Sequence, residues 1–212
     1  MAQNESFDIA GPAGRLEAIL MHPEGPAVAA AVVCHAHPLH GGIMHFKPVF
    51  RAAKVMQAHG LAALRFNFRG VGTSEGGHDD GRGEQDDVRA ALDECARRFP
   101  GLPLLVGGFS FGSVMAQRVG GTDDRVRASF ALGFPIRSVS DTSYLENVRK
   151  PRLFVQGEHD VFGDGSAIST LVEPLADRPT LVVVPGSDHY FNGHLEPMQQ
   201  ALSAWMDGRP WA

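Results

Sequence analysis

Twelve residues near the middle of the chain, LLVGGFSFGSVM from Leu104 to Met115, limit the fold more than any other stretch. Leu104-Leu105-Val106 is an apolar run that reads as a buried strand. Gly107-Gly108-Phe109-Ser110-Phe111-Gly112 then breaks it, and Ser113 to Val119 is compatible with a helix. Strand, glycine-flanked turn with a serine at its tip, helix: this is the context of a G-x-S-x-G elbow. The demand is steric. Backbone at such a tip is strained, and positions 108 and 112 leave no room for a side chain. The hydroxyl is pushed clear of the sheet. The following helix aims unpaired N–H groups and its positive dipole end at the serine, where negative charge on a bound carbonyl oxygen would be stabilised. The competing explanation is a plain strand-to-helix turn with a capping serine, because glycine is common here, 25 of 212 residues. A base, an acid and a second oxyanion donor must come from elsewhere in the chain.

Elements on either side of the elbow alternate. Phe7 to Ala10 and Arg15 to Met21 flank the turn Gly11-Pro12-Ala13-Gly14 and predict an antiparallel hairpin. Strands follow at Ala29 to Cys34, Leu61 to Phe68, Val126 to Leu132, Arg152 to Gln156 and Thr180 to Val184. Between them, helices are expected over Lys47 to His59, Glu84 to Phe99 and Ser166 to Ala176, with Pro174 fraying the last turn of the third. Glu84 to Phe99 carries acidic residues at its positive end and Arg97 and Arg98 at its negative end. Thr142 to Val148 reads as one short helix, and Leu195 to Met206 as the C-terminal one. Strand–helix alternation calls for a mostly parallel sheet covered by helices on both faces. Residues 1–212 read as a single domain without a cap domain, since no linker, repeat or large insertion is visible.

Composition excludes several classes. A net charge of −5 with no basic block argues against nucleic acid as the partner. The longest apolar run, Ala27 to Cys34, is too short to span a bilayer, and the N-terminus carries no signal-peptide pattern. Cys34 and Cys95 each sit in apolar pattern and read as buried free thiols of a reducing compartment. The expectation is a cytoplasmic monomer or small homo-oligomer that uses no cofactor.

In a parallel sheet the C-terminal strand ends share one edge, and ligands bind there. Two turns on that edge carry chemistry, GEHD ending at Asp160 and GSDH ending at His189. The order Ser110, Asp160, His189 is that of nucleophile, acid and base. Serine is a poor nucleophile at neutral pH, an imidazole can take its proton and return it to the leaving group, and a carboxylate fixes the imidazole tautomer. Glu158 and Asp188 are rival acids. Glu158 is nearer its strand, and Asp188, adjacent to His189, is poorly placed for the far ring nitrogen. His35, His37, His40 and His45 invite a metal reading, but no carboxylate or thiolate has matching spacing except Cys34, expected to point into the sheet. Gly70 to Gly83, with six glycines, fails both phosphate-loop patterns and carries repelling carboxylates, so it reads as a surface loop walling the site.

Ser110 in GFSFG, Asp160 in GEHD and His189 in GSDHYF resemble the triad of the α/β-hydrolases. CHAHPLHGG (34–42), FNFRGVGTSEG (66–76) and PGSDHYFNG (185–193) are similar to a small lidless bacterial branch related to the dienelactone-hydrolase-like enzymes. Dienelactone hydrolases proper use cysteine where this chain has Ser110, so their substrate does not carry over. The resemblance implies an eight-stranded sheet and a serine hydrolase cleaving small carboxylic esters or thioesters through an acyl-enzyme on Ser110. An acyltransferase using the same residues, a fold that has lost its chemistry and become a binding protein, and metal-assisted hydrolysis are the alternatives. His35 to Gly42 stands where the family's oxyanion loop stands. The backbone N–H groups of Phe111 and His37 are the expected oxyanion donors, with Leu39 in second place to His37. Leu39, Phe109, Phe134, Ile136, Phe162 and Tyr190 are the expected apolar contacts for substrate. Without a lid the site should be shallow, favouring short acyl groups.

Overall fold

A computed structural model describes residues 4–212. Eight strands form one sheet: β1 (Asn4–Gly11), β2 (Gly14–Met21), β3 (Ala29–Cys34), β4 (Leu61–Phe66), β5 (Leu104–Phe109), β6 (Val126–Leu132), β7 (Arg152–Gly157) and β8 (Thr180–Val184). Their spatial order is β1-β2-β4-β3-β5-β6-β7-β8. The β1–β2 hairpin is antiparallel, β2 joins β4 antiparallel, and every pair from β4 to β8 is parallel. Five helices cover it: α1 (Lys47–Ala58), α2 (Arg82–Arg98), α3 (Phe111–Thr122), α4 (Gly165–Val172) and α5 (Leu195–Asp207). This is the α/β-hydrolase fold, without a lid.

The sheet separates two apolar layers. Val88, Leu92, Val114, Val119 and Ile168, from α2, α3 and α4, pack on one face. Val49, Met56, Met198 and Leu202, from α1 and α5, pack on the other. Strands β3, β4, β5 and β7 are buried along their whole length, which is why their sequences are apolar at consecutive positions. Cys34 and Cys95 are buried and free, and burial pushes both thiols well up.

Several elements depart from the sequence expectation, each for a local reason. Strand β4 stops at Phe66, and Asn67 and Phe68 are drawn into loop contacts. The Phe68 N–H donates to the His35 ring, and the Asn67 carbonyl accepts from Ser74. Helix α2 begins two residues early, at Arg82, because the buried Glu84 carboxylate accepts the Gly81 and Asp79 N–H groups. Helix α4 ends at Val172, short of Ala176, two residues ahead of Pro174. The expected helix over 142–148 is a single tight turn, Ser143–Leu145. Among the described residues, no helix is long and apolar enough to cross a membrane.

Candidate active site

The turn after β5 is built as its sequence requires. Ser110 has φ 54° and ψ −122°, a backbone state that costs about 1–3 kcal/mol for a non-glycine residue and must be held by its surroundings. Its N–H donates to the Leu132 carbonyl at 2.9 Å, and its own carbonyl accepts from the Ser113 N–H (2.9 Å) and hydroxyl (2.6 Å). A Cβ at Gly108 would lie 2.6 Å from the Gly112 backbone and 2.7 Å from the Cys34 oxygen. One at Gly112 would collide with the carbonyls of His35 and Cys34. Close crossing of the β3 and β5 ends therefore excludes any side chain at both positions.

Turns after β7 and β8 bring the other two groups to the serine. His189 Nδ1–H donates to Asp160 Oδ2 at 2.7 Å, leaving Nε2 to accept from the Ser110 hydroxyl at 3.0 Å. Asp160 and His189 are both buried. The carboxylate accepts two further N–H bonds, from the Gln156 side chain (2.8 Å) and the Phe162 backbone (2.8 Å). Three donors compensate what burial of the carboxylate would otherwise cost. The imidazole is wedged between Phe162, Phe109 and Tyr190, with ring centroids 4.6, 5.0 and 5.2 Å away. The rival acids are engaged elsewhere: Glu158 accepts the Gly186 N–H, and Asp188 accepts two bonds from Asn192.

The loop after β3 is braced by His35. Its ring is fully buried, Nδ1–H donates to the Ala36 carbonyl at 2.7 Å, and Nε2 accepts the Phe68 N–H at 3.0 Å. Burial pushes this histidine down to about 4. The His37 carbonyl accepts the His40 and Gly42 N–H groups, closing a tight turn. Neither the His37 N–H nor that of Phe111, the first residue of α3, has a hydrogen-bond partner among the described residues. The Leu39 N–H is engaged by His37 Nδ1 at 3.2 Å and is thereby unavailable to a substrate oxygen. No group of three histidine, cysteine or carboxylate side chains is placed to hold a metal among the described residues.

A cleft of about 660 Å³ opens over Ser110, a size typical of small-molecule sites. Phe109, Phe162 and Tyr190 line it, as do His37 and Phe111. Leu39, Phe134 and Ile136, expected as substrate contacts, do not line it. Leu39 is 69% exposed. Phe134 is buried against Phe154, its N–H held by Gln156. Ile136 packs onto the core. The loop of residues 70–83 forms one wall through His78, Asp80 and Gly81, and α3 runs along the cleft through Phe111, Val114, Met115 and Arg118. That loop is pinned by the buried pair of Arg69 and Asp87, whose closest contact is 2.7 Å.

Sequence reasoning missed Gln156 and Arg118. The signal for Gln156 was available: it is the one amide in a strand otherwise apolar past its first residue, one position before the GEHD turn. Arg118 had no comparable signal, since its place on the cleft depends on how α3 is rotated.

A glycine-locked serine, a histidine and a carboxylate on three successive loop ends of this sheet define the α/β-hydrolase class. The chain belongs to the alpha/beta hydrolase domain family, which matches residues 29–204, and is a hydrolase by that membership. An α/β serine hydrolase homologue from Coxiella burnetii is 33% identical, with 94% of this chain and 96% of that one covered and a TM-score of 0.89. A Xanthomonas campestris protein described as a serine hydrolase without lid is 32% identical over 98% of this chain and 95% of its own, with a TM-score of 0.90. An uncharacterized protein of Rickettsia prowazekii is 31% identical over 92% of this chain and 86% of its own length.

Proposed function

We propose that the protein hydrolyses small carboxylic esters or thioesters through an acyl-enzyme on Ser110. The observation that carries this reading is the continuous relay from Ser110 Oγ to His189 Nε2 (3.0 Å) and from His189 Nδ1 to Asp160 (2.7 Å). Ser110 Oγ attacks the ester carbonyl carbon as its proton passes to His189 Nε2. Charge gathers on the former carbonyl oxygen, and the unpartnered N–H groups of Phe111 and His37 receive it. Asp160 steadies the imidazolium. The tetrahedral species collapses, and the alcohol or thiol leaves with the proton from His189. Water then attacks the acyl-serine by the same route, releasing the acid and restoring the hydroxyl. The serine hydrolase descriptions of the Coxiella and Xanthomonas proteins support this reading.

Hydrolysis of p-nitrophenyl acetate by the wild type and by Ser110→Ala tests it, together with labelling by a fluorophosphonate. The wild type turns over and is labelled, and the variant does neither. A Ser110→Ala protein with full esterase activity would disprove the assignment. A wild type that is neither labelled nor active would mark the fold as a binding protein.

A further inference from the structure

We propose that the preferred ester carries a carboxylate at the far end of an apolar chain, and that Arg118 binds it. This rests on the hydrolase reading and extends it to substrate class. Residues 111, 114, 115 and 118 of α3 lie on one helical face, and all four line the cleft. Phe111, Val114 and Met115 offer only apolar surface, and Val139 and Pro135 add to it. A chain attached at Ser110 would therefore lie against hydrocarbon until it reaches Arg118. Eight residues of helix separate the two, about 12 Å along the axis. Helical side chains lean toward the N-terminus, which brings the guanidinium back toward the serine.

Arg118 is held in place but not neutralised. Its guanidinium stacks on the Tyr144 ring, 4.1 Å from the centroid, and donates to the Asp141 carbonyl at 3.3 Å; the Asp141 carboxylate lies within reach of its charge but makes no ion pair with it and is hydrogen-bonded by the Ser143 N–H and hydroxyl. Among the described residues it takes part in no ion pair, whereas Arg82, the other arginine on the cleft, is tied to Asp79 at 2.9 Å. Ser138 and Ser140 also line the cleft and offer hydroxyl donors. Asp80, the acidic residue on the cleft, sits 3.7 Å from His78 on the loop of residues 70–83 and makes no ion pair with Arg118. An apolar passage ending in an unpaired, pre-oriented guanidinium suits a planar carboxylate, which arginine can grip with two parallel bonds.

The test uses p-nitrophenyl monoesters of straight-chain dicarboxylic acids, from succinate to sebacate, each beside its methyl-capped neutral counterpart. The readout is the ratio of kcat/KM for acid over capped ester at each length. Expected is a ratio that climbs with chain length to about tenfold or more where the tail spans the passage, as a charge-assisted hydrogen bond should give. Arg118→Gln brings the ratio to about one, Arg118→Lys keeps part of it, and Arg89→Gln, on an exposed face of α2, leaves it unchanged. A wild-type ratio near one at every length, or a preference that survives Arg118→Gln, overturns the proposal while leaving ester hydrolysis standing. If the wild type hydrolyses no ester, binding of the matching amides by calorimetry decides. Arg118-dependent affinity for the acid form then sinks only the hydrolase reading, and its absence sinks both.

Discussion

Lowering the pH should strip stability from this protein through one residue, His35. In the folded chain its ring is fully buried, and both ring nitrogens are committed, Nδ1–H to Ala36 and Nε2 to the Phe68 N–H. Protonation would put a second hydrogen where the Phe68 donor already points. Burial holds the folded value near 4 against the ordinary 6.5. Because the folded value is the lower one, the unfolded chain binds the extra proton first. The stabilisation is therefore whole above pH 6.5 and drains away as pH falls toward 4. The full effect is about 3 kcal/mol, of which about 2 kcal/mol is gone by pH 5. His35→Gln cannot titrate. At pH 7.5 it should be less stable than the wild type by about 2–4 kcal/mol, through lost hydrogen bonds and poorer packing. Urea denaturation of both proteins between pH 7.5 and 5 checks this: the gap should close by about 2 kcal/mol. A gap that stays constant across that range would refute the claim that His35 is a neutral strut. The variant should also lose kcat at pH 7.5, since His35 holds the loop that presents the His37 N–H.

Other substitutions separate the parts of the site. Asp160→Asn should lower kcat on the order of 10⁴-fold while the fold survives, because the wrong tautomer is favoured; Glu158→Gln, whose carboxylate faces Gly186, should keep most activity. Gln156→Leu removes one of three donors to Asp160 and orphans the Phe134 N–H, so kcat should fall about tenfold and Tm drop, read by steady-state kinetics and thermal melting. Gly112→Ala forces a methyl into two backbone carbonyls and should yield little folded protein, judged by soluble yield and circular dichroism. Esterase activity should persist in EDTA, because no three metal-ligating side chains among the described residues are placed to hold an ion: both His35 nitrogens are hydrogen-bonded, and His37 Nδ1 accepts the Leu39 N–H.

The strand-rich alternation, the N-terminal hairpin and the elbow were legible because each is a local pattern. Apolar runs of strand length, glycines at fixed offsets around Ser110 and turn residues after each strand need no partner to be recognised. The chain order of Ser110, Asp160 and His189 added a non-local constraint that sequence also carries, and topology turned that order into proximity by opening all three loops on one edge. Element ends were less legible. Helix α2 starts where Glu84 caps it, and that carboxylate also meets His78 Nδ1 at 2.7 Å.

What sequence alone determined is what backbone sterics and periodicity dictate: a covered parallel sheet, glycine at 108 and 112, and a serine at a strained tip. Side-chain direction belonged to the tertiary structure. Phe134 and Phe162 are both aromatic residues after strands, yet packing buries the first in the core and sets the second against His189. Leu39 is left exposed to solvent, its N–H caught by the His37 imidazole. Gln156 becomes the support of Asp160, and Arg118 an unpaired charge on the cleft wall, only once strands and helices have been placed. A side chain's partner is chosen by three-dimensional neighbours distant in sequence, and local pattern holds no record of them.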